Sequence, residues 1–215
     1  MEKKLYVKPR FRKLNDKEFT LFWESLRDAR EINEHGNFVL LRDVELYKES
    51  QNFMLGNGIA GYAIYEGELI SVHKNNKKAQ DVGMRHLLPR IVRSAIKHDA
   101  RYIDCYGEFL ANYYMSNGFV AVAKVEFDAL DDNPVTWEYD KFGKPDIYML
   151  VRAVDTVEEL DKLSASKEIV SFDDVKDYVK YFDNIDDCLK YRNEMFYKFE
   201  GLDYKSRIEY VKKCK

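Results

Sequence analysis

Cysteine is scarce in this chain. Cys105, Cys188 and Cys214 are odd in number and far apart, and no Cys-x-x-Cys pair or Cys/His cluster accompanies them. That removes the ligand spacing of a zinc site, and no metal is expected. Three scattered thiols suit a reducing compartment better than a disulfide framework. Long hydrophobic runs are missing as well. No apolar stretch approaches the roughly 18 residues that would read as a membrane span, and the opening Met1-Glu-Lys-Lys-Leu-Tyr-Val-Lys-Pro9 has no apolar core of a leader. The expected location is the cytoplasm, with no membrane partner. There is no overall excess of positive charge: the net charge is −3 and the isoelectric point is near 5.9, which argues against a general nucleic-acid binder. Internal repeats, low-complexity segments and any nucleophile constellation for covalent catalysis are also absent.

What is present is a chain of 215 residues, 46% hydrophobic and 34% charged. That is enough apolar material for a real core, in one larger domain or in one domain plus an appendage. The informative stretch runs over residues 59–119. Residues 61–72 (GYAIYEGELISV) are apolar and β-rich, interrupted only at Glu66-Gly67. A lysine-rich polar turn follows over 74–83. Met84, Leu87, Leu88, Ile91, Val92, Ala95 and Ile96 then recur at the spacing of one buried helical stripe. Residues 100–106 read as a second strand. Two strands joined by a crossover helix form a parallel pair, whose first loop lies at strand carboxyl ends where α/β proteins bind ligands. Charge fits an anionic ligand: from Ser71 to His98, seven basic residues (Lys74, Lys77, Lys78, Arg85, Arg90, Arg93 and Lys97) face Asp81 alone. A helix N-terminus is a phosphate seat, and nearby cations add long-range attraction. The competing reading is a solvated polar helix face, because Arg90, Arg93 and Lys97 lie opposite the apolar stripe; the loop lysines are the better ligand candidates.

Pro89 conflicts with a continuous helix, since an interior proline loses a hydrogen bond and clashes, costing about 3 kcal/mol. Because the apolar stripe keeps its phase on both sides, we read a kinked helix starting near Gly83. The alternative is a helix that begins at Pro89, with a longer loop before it.

Elsewhere, residues 5–14 read as an edge strand. Asn15-x-x-Glu18 has capping-box spacing ahead of a helix lined by Phe19, Phe22, Trp23, Leu26 and Ile32 and stopped near Gly36. Residues 37–47 read as a strand and 52–55 as another, with a turn at 56–58. Residues 102–106 should be the central strand, 108–117 a short helix, and 119–127 a half-buried strand by its clean alternation. A long polar loop, 128–144, leads to a last strand over 146–152 that pairs antiparallel with the one before it. From residue 155 the segment carries the whole net charge and reads as helices over 157–163, 172–183 and 185–198, with Ser171 as a cap.

Two motifs carry a resemblance. Gln80-Asp81-Val82-Gly83-Met84-Arg85 resembles the Gln/Arg-x-x-Gly-x-Gly/Ala loop of the GNAT superfamily of N-acetyltransferases, with Arg85 at the last small position. Tyr114-Met-Ser-Asn-Gly118-Phe119 resembles that family's Tyr-x-x-x-Gly-Phe. Gly107 stands where the family often has asparagine. The likeness covers about residues 58–152 and is nearest to small members from bacterial and phage genomes, including Trp137-x-Tyr139 and Gly143-x-Pro145-Asp146. It implies an α/β (α+β) fold: a mixed, mostly antiparallel twisted sheet with a central parallel strand pair flanked by helices. Residues 1–153 would form the acyl-CoA-binding domain and 154–215 a helical C-terminal appendage.

The resemblance also implies a function: transfer of an acetyl group from acetyl-CoA, as cosubstrate, to a small-molecule or protein amine by direct attack. Ser71, Val72 and His73 of the fourth strand would offer main-chain groups to the pantetheine arm. Lys78, Gln80, Asp81, Val82, Gly83, Met84 and Arg85 would hold the diphosphate. Acyl transfer needs a neutral amine, a stabilised oxyanion and a proton for the thiolate. Tyr114 is the implied acid, a main-chain N–H near Val72 the oxyanion donor, and Glu68 the candidate base, with His73 a further titratable group on the same strand. A packing tyrosine, a surface glutamate and a structural histidine are the plainer readings of these three. A homodimer is one expectation for the appendage. Arg85, Gly107, Pro89 and the appendage support the alternative of a catalytically degenerate interaction or regulatory protein of the same fold. A third reading, modification of a base or nucleoside, predicts salt-sensitive oligonucleotide binding by the basic stretch.

Overall fold

A computed structural model describes residues 10–56, 58–81, 84, 86–129 and 137–214, the side chain of Asn37 excepted. Val82, Gly83 and Arg85 of the loop motif, the first half of the strand expected over 5–14, Asn57 of the turn and Pro134 lie outside them. In chain order the elements are β1 (Phe11–Lys13), α1 (Phe19–Ile32), α2 (Val44–Glu49), β2 (Gln51–Leu55), β3 (Ala60–Tyr65), β4 (Glu68–Lys74), α3 (Asn76–Asp81), α4 (Leu88–Lys97), β5 (Tyr102–Tyr106), α5 (Gly107–Met115), β6 (Phe119–Val125), α6 (Tyr139–Phe142), β7 (Ile147–Arg152), α7 (Val157–Ser166), β8 (Lys180–Phe182), α8 (Ile185–Lys198) and α9 (Tyr204–Lys213). Among the described residues the strands form a mixed sheet in the order β1-β2-β3-β4-β5-β7-β6-β8. It is mostly antiparallel, with β4 and β5 parallel at its centre through Glu68 opposite Tyr102. This is the expected fold class, and β8 adds a second parallel pairing, to β6. The chain divides into two compact units, Met1–Glu66 with Ile70–Ile91, and Gly67–Leu69 with Val92–Lys215.

In the first unit the Asn15–Glu18 capping box forms as its spacing predicts. It caps a 3-10 turn, Asp16–Glu18, that runs straight into α1, whose Phe22, Leu26 and Ala29 are buried one helical turn apart. Phe22 and Leu26 pack with Leu14, Tyr47, Met54, Ala63 and Ile70. The strand expected over 37–47 is not there. Asp43 accepts a hydrogen bond from the Glu45 N–H at 3.0 Å and caps α2 instead. The helical turn swings Tyr47 fully into the core. An apolar run this short cannot separate strand from helix by periodicity alone. The basic segment after β4 also differs from expectation. Asn76–Asp81 is helical, and α4 starts at Leu88, so Pro89 sits in its first turn, where no hydrogen bond is lost. The chain thus takes the late-start alternative rather than a kinked helix from Gly83.

The second unit is built on β5, β7 and β6. α5 packs on all three, and α8 packs on β6 and β7. The turn after α5 closes at Gly118, whose φ is +94°; a Cβ there would also lie 2.7 Å from Val154 Cγ2. The segment after Ala153 contributes α7, α8, α9 and the strand β8. Over the expected helix 172–183, the capping box of Ser171 and Asp174 forms, but it opens a 3-10 turn, Phe172–Asp174, followed by a second, Lys176–Tyr178, and the chain then extends into β8 alongside β6. Arg207 of α9 is buried and donates to Ala153 O (2.9 Å), Phe199 O (3.2 Å) and Asp155 Oδ1 (2.7 Å). Asn112 Oδ1 of α5 accepts from the Phe172 N–H at 3.0 Å. These bonds fasten the tail to the sheet layer of its own unit.

Candidate functional site

β4 carries the first half of the candidate residues. Ser71 lies in mid-strand with φ +51°. For a residue with a Cβ this left-handed conformation costs about 1 kcal/mol or more, and such strain persists only where surroundings hold it. Here two side chains grip it, Tyr47 and His73, and a third, Ser25, holds the imidazole. The Ser71 hydroxyl meets Tyr47 Oη at 2.5 Å. The Ser71 carbonyl faces His73 Nδ1 at 2.9 Å. A carbonyl only accepts, so Nδ1 carries the proton. The other ring nitrogen, Nε2, is then the acceptor for the Ser25 hydroxyl at 3.0 Å. Ser25 Oγ also lies 3.2 Å from Gly58 O, its alternative acceptor. Ser25 and His73 are both buried. Burial, the largest influence, together with nearby Lys78, pushes His73 down to about 4, so the ring is neutral at neutral pH. His73 is a buried structural acceptor here rather than a surface base. Val72 between the two is half-buried.

Beyond β4, Asn33 at the end of α1 bridges the chain. Its Nδ2 donates to Lys74 O (2.5 Å) and its Oδ1 accepts from the Asn76 N–H (3.2 Å). Asn75, wholly buried, caps the following turn by accepting from the Lys78 N–H at 2.9 Å. Lys78 is ion-paired with Asp28 at 3.3 Å. Gln80 and Asp81 are exposed at the end of α3, and Lys77 points an exposed cation outward beside them. Met84 is half-buried, and its N–H donates to Ala79 O at 2.8 Å, closing α3. Lys77, Gln80 and Asp81 of α3 are thus exposed. Lys78 and the Met84 amide are already engaged.

In the second unit Glu68, at the start of β4, is ion-paired with Arg192 of α8: Arg192 Nη1 lies 3.1 Å from Glu68 Oε2, with the arginine side chain 5% exposed and the glutamate 21%. The angles are not those of a hydrogen bond, and Nη1 makes none, so the pair is a charge contact. The guanidinium also stacks over Tyr102, 4.6 Å from the ring centroid. Tyr114 is buried on α5, edge-on to Tyr113 and Phe119. Burial, reinforced by Cys105 and Asp104, holds its phenol far above the ordinary range, so the resting side chain is protonated. Burial raises Cys105 likewise, which leaves it an inert thiol. Asp104 is only half-buried. Among the described residues no group of three or more His, Cys, Asp or Glu side chains is placed to hold a metal ion, and no helix is long and apolar enough to cross a membrane.

Sequence reasoning missed Ser25, Tyr47 and Arg192. Two of them carried a signal. Ser25 breaks the apolar stripe of Phe22, Leu26 and Ala29, and Arg192 falls in phase with buried Cys188, Met195 and Phe199. A polar residue in a buried phase needs a partner elsewhere in the fold.

No family model matches the sequence, and no curated protein does. Among solved structures, an acetyltransferase of the GNAT family from Staphylococcus aureus Mu50 is similar over 66% of this chain and 97% of that one, at 12% sequence identity and a TM-score of 0.36. A likeness of that size decides neither fold nor activity. The fold stands on the strand order and register described above.

Proposed function

We propose that this chain is an acyltransferase that moves an acetyl group from acetyl-CoA to an amine. The observation that carries the reading is the β4–α3–α4–β5 step with β4 and β5 parallel, which sets the Gln80–Arg85 motif in the connection after β4. The neutral amine attacks the thioester carbonyl, forming a C–N bond. The C–S electron pair leaves on sulfur, which takes the proton of Tyr114 as it departs, and the proton shed by the amine returns to the phenolate, so the cycle closes with no net proton change. The oxyanion is met by a main-chain N–H of β4 near Val72. Ser71, Val72 and His73 serve the pantetheine arm through main-chain groups. Gln80, Asp81, Val82, Gly83, Met84 and Arg85, with Lys78, serve the diphosphate, Lys78 once it parts from Asp28 and the Met84 amide once it parts from Ala79 O. Glu68 takes the amine proton, through water, once it parts from Arg192. Titration calorimetry with millimolar acetyl-CoA tests the reading: heat of binding supports it, and neither heat nor a thermal shift overturns it.

Two observations favour a second reading, an interaction protein without catalysis: the Met84 amide is spent on Ala79 O, and Glu68 is held by Arg192. That reading expects a stable partner whose capture survives substitution of Gly83 or Tyr114.

A further inference from the structure

We propose that Tyr47 and His73, the latter held by Ser25, form a latch that keeps Ser71 left-handed and so fixes the direction of the β4 main chain at Val72. Ser71 is the one described strand residue with a positive φ, and both of its polar ends are gripped. Tyr47 Oη takes the hydroxyl at 2.5 Å, and Tyr47 is itself anchored by the Arg42 N–H at 3.2 Å and by Leu40 O at 3.4 Å. His73 Nδ1 takes the carbonyl, while Ser25 on α1 orients the opposite ring nitrogen. Phe22 packs edge-on against the imidazole, with ring centroids 5.4 Å apart.

The backbone has been cleared to admit these groups. A Cβ on Gly61 would lie 2.5 Å from His73 Cε1 and 2.9 Å from Nε2. One on Gly58 would lie 3.0 Å from Ser25 Oγ. The imidazole of His73 holds the carbonyl of one strained residue, the phenol of Tyr47 on α2 holds its hydroxyl, and the hydroxyl of Ser25 on α1 holds the imidazole from behind. Strain of this kind is maintained where a strand must re-aim its groups. The role in binding rests on the acetyl-CoA reading, in which Val72 lies beside the thioester; the latch itself does not.

Two measurements on the full chain separate these. The first is the Ser71 13Cα shift, which leaves the strand range when φ is positive. It should be displaced in the wild type and in His73→Asn, whose amide nitrogen replaces Nδ1. It should return to the strand range in His73→Gln, and in Tyr47→Phe, which keeps the core volume. An undisplaced wild-type shift, or an unmoved shift in both His73→Gln and Tyr47→Phe, overturns the latch. The second is acetyl-CoA affinity by calorimetry. Tyr47→Phe should weaken it about tenfold, and adding Ser71→Gly, which removes the left-handed penalty, should restore it to within twofold. Equal weakening in both backgrounds overturns the positioning role. No binding by the wild type overturns the acetyl-CoA reading and, with it, the role in binding, while the shift still decides the latch.

Discussion

Arg192 of α8 and Glu68 of β4 form an ion pair in which the arginine is the more deeply buried partner, its Nη1 3.1 Å from Glu68 Oε2. The guanidinium is also stacked on Tyr102 and accepted by Asn193 Oδ1 through Nε at 3.2 Å. The carboxylate proposed as a base is therefore also the counter-charge of a buried cation. Removing one partner of such a pair is more damaging than removing both.

Glu68→Gln should lower stability by about 2 kcal/mol, because it strands the guanidinium. Glu68→Gln combined with Arg192→Met should recover at least half of that loss. Urea denaturation of the two variants beside the wild type measures both. Equal losses would mean that the charge contact contributes little and that Arg192 acts by packing.

His73 gives stability a pH dependence. Its folded value lies near 4 against an ordinary 6.5, so the unfolded chain binds the extra proton between these limits. Stability is complete above about pH 6.5 and falls as pH drops toward 4, by up to about 3 kcal/mol. Denaturation midpoints across this range, compared with His73→Asn, isolate the contribution: the variant should show a shallower slope than the wild type, keeping only the share of lowered carboxylates such as Asp99 and Asp174.

Gly61→Ala forces a Cβ to 2.5 Å from the imidazole and 3.0 Å from Phe53 O. It should cost about 2 kcal/mol, the usual price of overpacking. In a His73→Ala background the ring contact is gone and only the backbone contact remains, so the cost should fall. Thermal melts of the four proteins give the coupling.

Tyr114→Phe should leave the fold intact, since the ring and its edge-on contacts with Tyr113 and Phe119 persist. If Tyr114 supplies the thiolate's proton, turnover of acetyl-CoA should fall about 100-fold with acetyl-CoA affinity unchanged. Unchanged turnover removes the acid role alone.

Much of the scaffold was readable because local rules decide it. The Asn15–Glu18 capping box opens the 3-10 turn that runs into α1. The apolar run from Phe119 marks β6, although that strand is buried on both faces and bulges between Ala121 and Ala123 instead of alternating half-buried. The helix expected over 185–198 is α8 to the residue. The misreadings fell where local signals were balanced. Residues 37–47 carry enough apolar side chains for a strand, yet the Asp43 cap tips them into α2. The register of the apolar stripe around Pro89 fits a kinked helix and a late-starting one equally, and the first-turn position removes the proline's penalty.

Sequence by itself determined the alternating and helical stripes, the caps, the basic segment after β4 and the two motifs, since each depends on neighbours a few positions away. Only the tertiary structure decided that Tyr47 and His73 meet at Ser71 with Ser25 behind the imidazole, and that Arg192 closes on Glu68. Those partners lie on separate elements, and a buried polar group announces only that it needs a partner. Which one it finds is set by how the helices pack on the sheet, through desolvation and close contact that no local pattern encodes.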